Sequence, residues 1–216
     1  MAEQVELFYA PQTRATGVRV LLEELGAPYT LNVLNVKLEE NRQPGFLKLN
    51  PAGKVPTVRR GDAVVTEQVA IYLYLADLFP ERGLTPGLDD PLRGPYLRWF
   101  VYMASCFEPA LVDRALKREE PPQSMSPYGS FETVVENMRA QLTGKTFVLG
   151  EKITALDVLW AMGLRWGMMF GIVPEFDEFK DYTARFFERP AAVKVLQEDQ
   201  NLAKEQDEAA KAAGVA

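Results

Sequence analysis

Hydroxyl and guanidinium groups lie in a turn between the first predicted strand and the first predicted helix. Tyr9 is at the end of the strand, and Thr13 and Arg14 follow in the segment PQTRATG. The start of the next helix adds backbone N–H groups and the positive end of a dipole. Such a set can stabilise an anion, or lower the pKa of an acidic group that is brought to it.

The chain contains no histidine, which restricts the chemistry that this turn can support. Most hydrolase triads and most zinc sites need an imidazole, so the sequence argues against both classes. The remaining reactive groups are hydroxyls, carboxylates, basic side chains, backbone amides and a thiol supplied by a second molecule. We therefore expect no metal in this protein.

A second polar segment begins the helix that follows a predicted hairpin. In TEQVAI, Glu67 and Gln68 lie at the helix N-terminus. Stabilisation of the helix end alone explains an acidic residue at this position. The alternative is a recess in which N–H groups and Gln68 bind a carboxylate while Glu67 binds an amine. An α-amino acid head group carries both of these groups.

A proline precedes the third predicted strand in the segment NPAGKVPTV. Pro56 cannot donate a hydrogen bond to a sheet, so it belongs at the start or edge of a strand. Only about 5–6% of bonds to proline are cis in folded proteins. Taken alone, the residue therefore predicts a trans Val55–Pro56 bond.

Three further motifs indicate structure rather than chemistry. Thr154 and Asp157 have the spacing of a capping box variant. Cys106 lies on a predicted helix and is typical of a small buried hydrophobic residue. The GKT of LTGKTFVLG lacks the earlier glycine of a phosphate-binding loop, because Arg139 occupies that position.

Composition and charge exclude several classes of function. A net charge of −6 argues against nucleic-acid binding, which requires a basic stripe. A single cysteine allows no internal disulfide and suits a reducing compartment. MAEQVELFY lacks the regions of a secretory signal. The most apolar stretch, Val158–Val173, contains Arg165 and is shorter than the ~20 residues of a membrane helix. We therefore expect a cytoplasmic protein without a membrane span.

The elements that position these residues alternate in the first half of the chain. Hydrophobic patterns predict the order β-α-β-α-β-β-α up to Pro80, with Gly61 and Asp62 at the hairpin turn. This alternation predicts parallel strands joined by a crossover helix, and the hairpin adds an antiparallel edge. The segment ERGLTPGLDDPLRGP, dense in proline and glycine, is the predicted linker.

The second half of the chain is predicted to be entirely helical. A long helix covers Pro95–Arg118, with Pro109 as the position for a kink. The other predicted helices are Phe131–Leu142, a segment from Thr154 to about Trp166, and two more divided by Pro174 and Pro190.

The predicted domains follow from this organisation. Residues 1–80 form an α/β domain, residues 81–91 the linker and residues 92–216 an all-α domain. The tail from Asn201 is either a terminal helix or frayed.

Four segments in this order resemble the cytosolic glutathione transferase family: FYAPQT, NPAGKVPTV, TEQVAIYLYLAD and ITALDVLW. The resemblance extends from about Val5 to Gln200. It implies a thioredoxin-like domain followed by an all-α domain, usually as a homodimer. It also implies a detoxifying enzyme without a metal or further cofactor. Reduced glutathione is then the cosubstrate, and its thiolate attacks a hydrophobic electrophile.

The same resemblance implies roles for residues of the N-terminal half. In such proteins the proline matching Pro56 is cis, and the backbone of the preceding residue, here Val55, pairs with the cysteinyl part of glutathione. Glu67 and Gln68 match the pair that binds the γ-glutamyl head group, although a serine usually stands in the place of Gln68. Lys54 is expected either to reach the glycine carboxylate or to remain solvated.

The family places a thiol-activating group just after the first strand. Thr13 matches the serine of serine-type relatives and is our first candidate, with a turn or helix-cap threonine as the alternative. Tyr9 matches the tyrosine of tyrosine-type relatives, but a packed phenol is the favoured interpretation. Arg14 stands where cysteine-type relatives have their nucleophile, and its amide or guanidinium can bias the thiolate. Thr16 is a more distant candidate.

The required shift in the thiol pKa is within reach of these groups. Lowering a thiol pKa from about 8.5 to about 6.5 needs about 2.7 kcal/mol of differential stabilisation. One hydrogen bond to a charged partner supplies about 1.5–3 kcal/mol. One hydroxyl and the amides of the turn are therefore sufficient.

The resemblance also implies an apolar substrate pocket and leaves two other functions open. Met103 and Phe107 lie one helical turn apart and are predicted to share a face that lines the pocket. The enzymatic alternative is a glutathione-dependent peroxidase or disulfide reductase on the same fold. The non-enzymatic alternative is a binding module that has lost the chemistry, and Gln68 in place of serine favours it.

Overall fold

The computed structural model describes residues 4–119 and 121–215. These residues form two compact units. One unit runs to Phe79 and resumes at Arg189, and the other is Pro80–Glu188.

A four-stranded mixed sheet forms the centre of the first unit. Its strands are β1 Val5–Tyr9, β2 Tyr29–Val33, β3 Thr57–Arg60 and β4 Ala63–Val65. They lie in the order β2-β1-β3-β4, with β1 parallel to β2 and antiparallel to β3, and β3 antiparallel to β4. Leu7 is opposite Leu31 on one side and Val58 on the other. The predicted topology, including the antiparallel hairpin, is confirmed.

Helices α1 Ala15–Leu25, α2 Pro44–Leu49 and α3 Gln68–Leu78 complete the predicted order of the first unit. The face of α1 that contains Val18, Leu21 and Leu25 is fully buried. The helix ends at Gly26, whose φ of 58° lies in the left-handed region that glycine adopts without a steric penalty. Burial of this face positions α1, and therefore the turn that precedes it, against the rest of the first unit.

Among its described residues the second unit contains helices joined by loops and no β-strand, apart from an isolated bridge between Phe147 and Gly150. Its helices are α4 Arg93–Tyr102, α5 Glu108–Ala115, α6 Phe131–Leu142, α7 Ala155–Met169 and α8 Asp177–Phe187. The architecture is therefore a thioredoxin-like fold followed by a helical domain, as predicted.

The long helix predicted over residues 95–118 is interrupted. A π-helical turn, Met103–Phe107, separates α4 from α5, and the N–H of Glu108 donates to the carbonyl of Met103 five residues earlier. Pro109 follows directly and has no N–H to continue the α-helical pattern. The kink expected at Pro109 therefore takes the form of a widened turn before it.

The capping box at the start of α7 is confirmed. Asp157 is fully buried, and one of its carboxylate oxygens accepts from the N–H of Thr154 at 2.8 Å. The other accepts from the N–H of Val148 at 2.8 Å and the hydroxyl of Tyr182 at 3.1 Å. Burial raises the pKa of Asp157, while these hydrogen bonds act in the opposite direction. Asp157 therefore links the start of α7 to the loop at Val148 and to Tyr182 on α8, which is a structural role.

The last helix, α9, is Pro190–Ala212 and belongs to the first unit. The sequence pattern predicts that these residues belong to the helical domain. The structure differs from this prediction because α9 packs on α1. The tail from Asn201 is helical up to Ala212. The buried residues of α9 include an aspartate among small apolar side chains: Ala192, Val195, Asp199, Ala203 and Ala210.

Ion pairs and amide hydrogen bonds join α9 to the rest of the first unit. The Nε and Nη2 atoms of Arg189 each donate to one oxygen of the Glu24 carboxylate at 2.7 Å, which is a bidentate contact. The further ion pairs along the helix are Lys194–Glu23, Arg19–Glu198 and Lys37–Asp207.

These ion pairs predict that acid loosens α9. Burial opposes ionisation of Glu23, but hydrogen bonds from Lys194 and Tyr29 outweigh it and lower its pKa. A hydrogen bond from Lys37 lowers the pKa of Asp207. Both pKa values in the folded protein lie below the ordinary range near ~4. The stabilisation is therefore present above that range and is lost as pH falls through the folded-state values.

Urea unfolding between pH 6 and pH 3 tests this expectation. The free energy of unfolding of the unmodified chain should decrease as the pH is lowered. The slope of this free energy against pH should be smaller in the double variant that combines Lys37→Met and Lys194→Met. An identical slope in both proteins would show that these pairs contribute nothing to the acid dependence.

Candidate functional site

The hydroxyl of Thr13 lies inside the turn that joins β1 to α1. It donates to the carbonyl of Ala10 at 2.7 Å and accepts from the N–H of Ala15 at 3.2 Å. The N–H of Thr16 donates to the Thr13 carbonyl at 3.1 Å. Thr13 is half-buried, and Arg14 beside it is exposed. In this state Thr13 shapes the turn, as its alternative interpretation predicts, and its proton points at a neutral carbonyl.

Several backbone amides that the sequence suggested for anion binding already donate hydrogen bonds to groups of the protein. The N–H of Gln12 lies 3.2 Å and 3.1 Å from the two carboxylate oxygens of Asp199. The amides of Ala15 and Thr16 donate to Thr13, as described above. The expectation that these N–H groups converge on an external anion is therefore corrected for Gln12, Ala15 and Thr16.

Tyr9 is fully buried at the end of β1 and donates its phenolic proton to Asp199. Burial and then this carboxylate raise the pKa of Tyr9, and the guanidinium of Arg19, 5.6 Å from the ring centroid, opposes them only in part. The phenol therefore stays neutral, with its proton committed to Asp199. This arrangement is the packed phenol favoured by the sequence, not a group free to meet a thiol.

Asp199 is the residue of this region that sequence reasoning missed. It is only 4% exposed, and it also accepts from the hydroxyl of Thr16 at 2.8 Å. This contact occupies Thr16, the more distant candidate. One signal was available, because Val195, Asp199 and Ala203 recur at the four-residue spacing of one helix face. A carboxylate on an apolar face needs buried donors.

The loop before β3 presents the segment that contains Val55. The Val55–Pro56 bond is cis, so the trans prediction from the proline alone is wrong and the one from family resemblance is right. Val55 is half-buried and Pro56 is buried. The side-chain amide of Asn50 donates to the Lys54 carbonyl at 2.9 Å and to the Thr57 hydroxyl at 3.0 Å, which fixes the shape of the loop.

Gly53 is required in this loop for two reasons. Its φ is 60°, and a Cβ at this position would lie 2.9 Å from the carbonyl oxygen of Asn41. The neighbouring Lys54 is exposed, so its predicted contact with a carboxylate and its alternative as a solvated lysine both stay predictions.

A side chain at the start of α3 contacts the Thr13 turn. The amide nitrogen of Gln68 donates to the carbonyl of Arg14 at 3.3 Å. Glu67, immediately before the helix, is exposed and has φ of 66° and ψ of 118°. A side chain at this φ is uncommon outside glycine and tends to occur at functional sites. The structure thus brings the Thr13 turn and the Glu67–Gln68 segment together.

Comparison with known proteins extends this picture. Residues 3–77 match the family model described as the glutathione S-transferase N-terminal domain. Glutathione S-transferase GstA of Escherichia coli O157:H7 is 26% identical over 193 residues, which cover 86% of this chain and 94% of GstA. A solved structure of a glutathione transferase homolog from Sulfitobacter with bound glutathione has a TM-score of 0.71. It is 25% identical and covers 92% of this chain and 99% of its own.

Residues 3–77 therefore carry the glutathione S-transferase N-terminal domain, and the chain as a whole is similar to glutathione transferases. The similarity also reaches a protein with another name. Elongation factor 1-gamma of Prunus avium is 25% identical over 197 residues, which cover 84% of this chain but only 43% of that protein. A sequence similar to most of this chain therefore also forms part of a longer protein that carries a different name.

The residues predicted to line a substrate pocket are buried in the second unit. Met103 is 4% exposed and Phe107 is 1% exposed. The Phe107 ring lies 4.9 Å from that of Trp160 on α7, and a Cβ on Gly163 of α7 would lie 2.9 Å from the Met103 methyl group. Side chains that pack on α7 in this way present little surface to a substrate, which differs from the expectation of a pocket wall.

Three further observations concern the second unit and the described residues as a whole. Cys106 is half-buried, not buried, with its sulfur 3.9 Å from the carbonyl of Pro127. Within residues 4–119 and 121–215, no three acidic or cysteine side chains come close enough to hold a metal ion. Over the same residues, each helix is too short or too polar to cross a membrane.

Proposed function

We propose that the protein is a glutathione transferase that binds reduced glutathione, favours its thiolate and transfers it to a hydrophobic electrophile. The observation that supports this most is the hydrogen bond of 3.3 Å from Gln68 to the Arg14 carbonyl. It joins the candidate head-group recess at the start of α3 to the candidate activating turn. Both halves of the proposed chemistry therefore lie in one compact unit.

The γ-glutamyl head group would bind at the start of α3. Its ammonium group matches the carboxylate of exposed Glu67, and its carboxylate matches the N–H groups at the helix N-terminus. The left-handed backbone of Glu67 costs about 1–3 kcal/mol for a residue with a side chain. Residues with such a cost cluster at active sites and ligand-binding positions. Gln68 contributes by joining this segment to the turn.

The rest of the tripeptide would extend along the loop before β3. The backbone of Val55 is proposed to pair with the cysteinyl part, next to Pro56, and Lys54 to meet the glycine carboxylate. The loop is fixed by the Asn50 amide at 2.9 Å from the Lys54 carbonyl, so these groups are presented without a large loss of backbone freedom on binding.

The hydroxyl of Thr13 is the proposed thiol-activating group. Its proton points at the Ala10 carbonyl at 2.7 Å, which is a neutral acceptor. A hydrogen bond to an ionised acceptor is roughly twice as strong as a neutral one. The proton would therefore turn toward a thiolate that arrives beside it, and the exposed guanidinium of Arg14 would favour the same charge.

The reaction itself requires no group beyond these. The thiol proton leaves to solvent, and the sulfur lone pair attacks the electrophilic carbon. A C–S bond forms, and in an aryl halide the halide leaves with the bonding electrons. The protein contributes positioning and electrostatic stabilisation.

The proposal includes the wider setting implied by family resemblance. We propose a cytoplasmic homodimer that acts in detoxification on a hydrophobic electrophile. Light scattering of the purified chain measures its mass in solution and tests the dimer directly.

A non-enzymatic binding module is the second candidate. The similarity to elongation factor 1-gamma favours it, because that protein contains this architecture within a longer chain. Gln68 in place of the usual serine points in the same direction.

Three assays on the unmodified chain separate these functions. Calorimetry with reduced glutathione measures binding, and turnover is measured with 1-chloro-2,4-dinitrobenzene and with cumene hydroperoxide. A transferase should bind glutathione and consume the aryl halide. Binding with turnover of the hydroperoxide alone identifies the peroxidase, and absence of binding identifies the module.

A further inference from the structure

Asp199 is a buried carboxylate on α9 that contacts the candidate site from the far end of the chain. It is 4% exposed and lies on the buried face of the helix with Val195 and Ala203. The proposed chemistry gives it no contact with glutathione. Burial of a carboxylate is costly unless donors surround it, so the identity of its donors indicates its role.

The donors to Asp199 lie on both sides of Thr13 in the chain. The hydroxyl of Tyr9 at the end of β1 and that of Thr16 in the first turn of α1 both donate to its Oδ1, the latter at 2.8 Å. Between them, the N–H of Gln12 lies 3.2 Å and 3.1 Å from Oδ1 and Oδ2. One carboxylate therefore ties together the strand end, the turn and the helix start.

The contact with Gln12 has the most direct effect on Thr13. Gln12 has a φ of 56°, in the left-handed region that a residue with a side chain rarely adopts. A hydrogen bond from a backbone N–H to a carboxylate is among the stronger kinds and can hold such a conformation. Thr13 follows Gln12 directly, so the direction of its hydroxyl depends on the backbone at Gln12.

The position of Asp199 is itself fixed on both sides along α9. Toward the start of the helix, Arg189 makes its bidentate contact of 2.7 Å with Glu24. Toward the end, the side-chain amide of Gln206 donates to the Leu34 carbonyl at 3.0 Å. The carboxylate is therefore held on the turn by a helix that is anchored at several points.

We propose that Asp199 is a positioning residue that holds the Thr13 turn in its active geometry, so that the C-terminal helix is part of the glutathione site. This inference rests on the proposed function. Asp199 acts through Gln12 and Thr13, without touching the thiol.

Substitution by asparagine separates positioning from a simple charge effect. A negative charge near the thiol disfavours the thiolate, so loss of charge alone would lower the pKa of the bound thiol and speed the reaction. Asparagine has a single acceptor oxygen, and its NH₂ group would face the N–H and O–H donors of the turn. Loss of positioning therefore predicts the opposite sign, a higher thiol pKa and a slower reaction.

Hydrogen exchange in the ligand-free protein gives a first test that needs no activity. The Asp199→Asn variant should lose protection at the amides of residues 12–16, while the helices of the second unit keep theirs. The matched control is Asp207→Asn, which removes an aspartate of the same helix that contacts Lys37 instead of the turn. The control should keep the protection of residues 12–16.

Kinetics give the second test. For Asp199→Asn, kcat/KM with the aryl halide should fall ~10–100-fold, mainly through kcat, because a small displacement of a catalytic group has effects of this size. Affinity for S-methylglutathione, which lacks the thiol proton, should change little. Combination with Thr13→Val should slow the reaction no more than Thr13→Val alone, because residues that act as a unit are not additive.

The outcomes distinguish this inference from the function on which it rests. Unchanged protection of residues 12–16, a lower thiol pKa or additive effects with Thr13→Val would overturn the role of Asp199. If the unmodified chain neither binds nor conjugates glutathione, the proposed function fails, and the exchange comparison still decides whether Asp199 holds the turn. If Asp199→Asn does not fold, Thr16→Val removes one donor and should show a smaller change of the same sign.

Discussion

Replacement of Glu67 by glutamine is expected to weaken the binding of reduced glutathione about 10–100-fold. Glutamine keeps the size of the side chain but loses the charge that would pair with the ligand ammonium group. A hydrogen bond to a charged partner contributes about 1.5–3 kcal/mol, and each 1.4 kcal/mol corresponds to a factor of ten in the dissociation constant. Calorimetry with S-methylglutathione measures this loss separately from any effect on the thiol.

The chain offers a closely matched control for this substitution. Glu39 is also an exposed glutamate with a left-handed backbone, at φ of 57°, but it lies between the 3₁₀ helices Val36–Leu38 and Glu40–Arg42, in the connection from β2 to α2. Glu39→Gln should bind glutathione like the unmodified chain. A glutathione analogue without its amino group should bind equally to the unmodified chain and to Glu67→Gln. An unchanged affinity of Glu67→Gln for S-methylglutathione would show that Glu67 does not bind the ligand ammonium group.

Removal of the Thr13 hydroxyl is expected to slow conjugation about 10–100-fold, because a hydrogen bond to a charged group contributes about 1.5–3 kcal/mol. Thr13→Val keeps the branched shape and removes the donor. Affinity for S-methylglutathione should change little, and the pKa of the bound thiol should rise toward its value in water. Thr13→Ser keeps the hydroxyl and should restore most of the rate.

A second threonine controls for the loss of a backbone contact. Thr143 donates to the Arg139 carbonyl at 3.0 Å, much as Thr13 donates to Ala10, but it lies at the end of α6. Thr143→Val should leave conjugation unchanged. A normal rate in Thr13→Val would instead show that Arg14 or backbone amides stabilise the thiolate.

Local signals predicted most elements of this fold. Helix α6 has the predicted bounds, Phe131–Leu142, because Ser130 caps it through a contact of 3.2 Å with the N–H of Thr133 and a threonine and a glycine follow it. Helix α1 ends at Gly26 as its pattern indicates. Signals of this kind act between residues close in the chain, so one sequence is enough to identify them.

Features that depend on distant contacts could not be predicted in the same way. Asp199 contacts Gln12 across most of the chain, and its spacing reveals a buried carboxylate without revealing its partners. The assignment of α9 to the first unit depends on the packing of α1. Burial of Met103 and Phe107 depends on α7, which helical periodicity alone does not place.

The sequence identifies candidate residues for the site, but not the contacts that the structure shows among them. Thr13, Glu67 and Gln68 were identified from their positions at a turn and at a helix start. The hydrogen bond from Gln68 to the Arg14 carbonyl was not foreseen, because the expected partner of Gln68 was a ligand. The hydrogen bond from the Tyr9 hydroxyl likewise could not be foreseen, because its acceptor, Asp199, lies far along the chain.

Ultraviolet titration of glutathione bound to the unmodified chain tests the central claim most directly, because the thiolate absorbs where the thiol does not. The proposal predicts that the bound thiol ionises near pH 6.5, about two pH units below the ~8.5 of a free thiol. A bound thiol that ionises at the same pH as glutathione in buffer would contradict it.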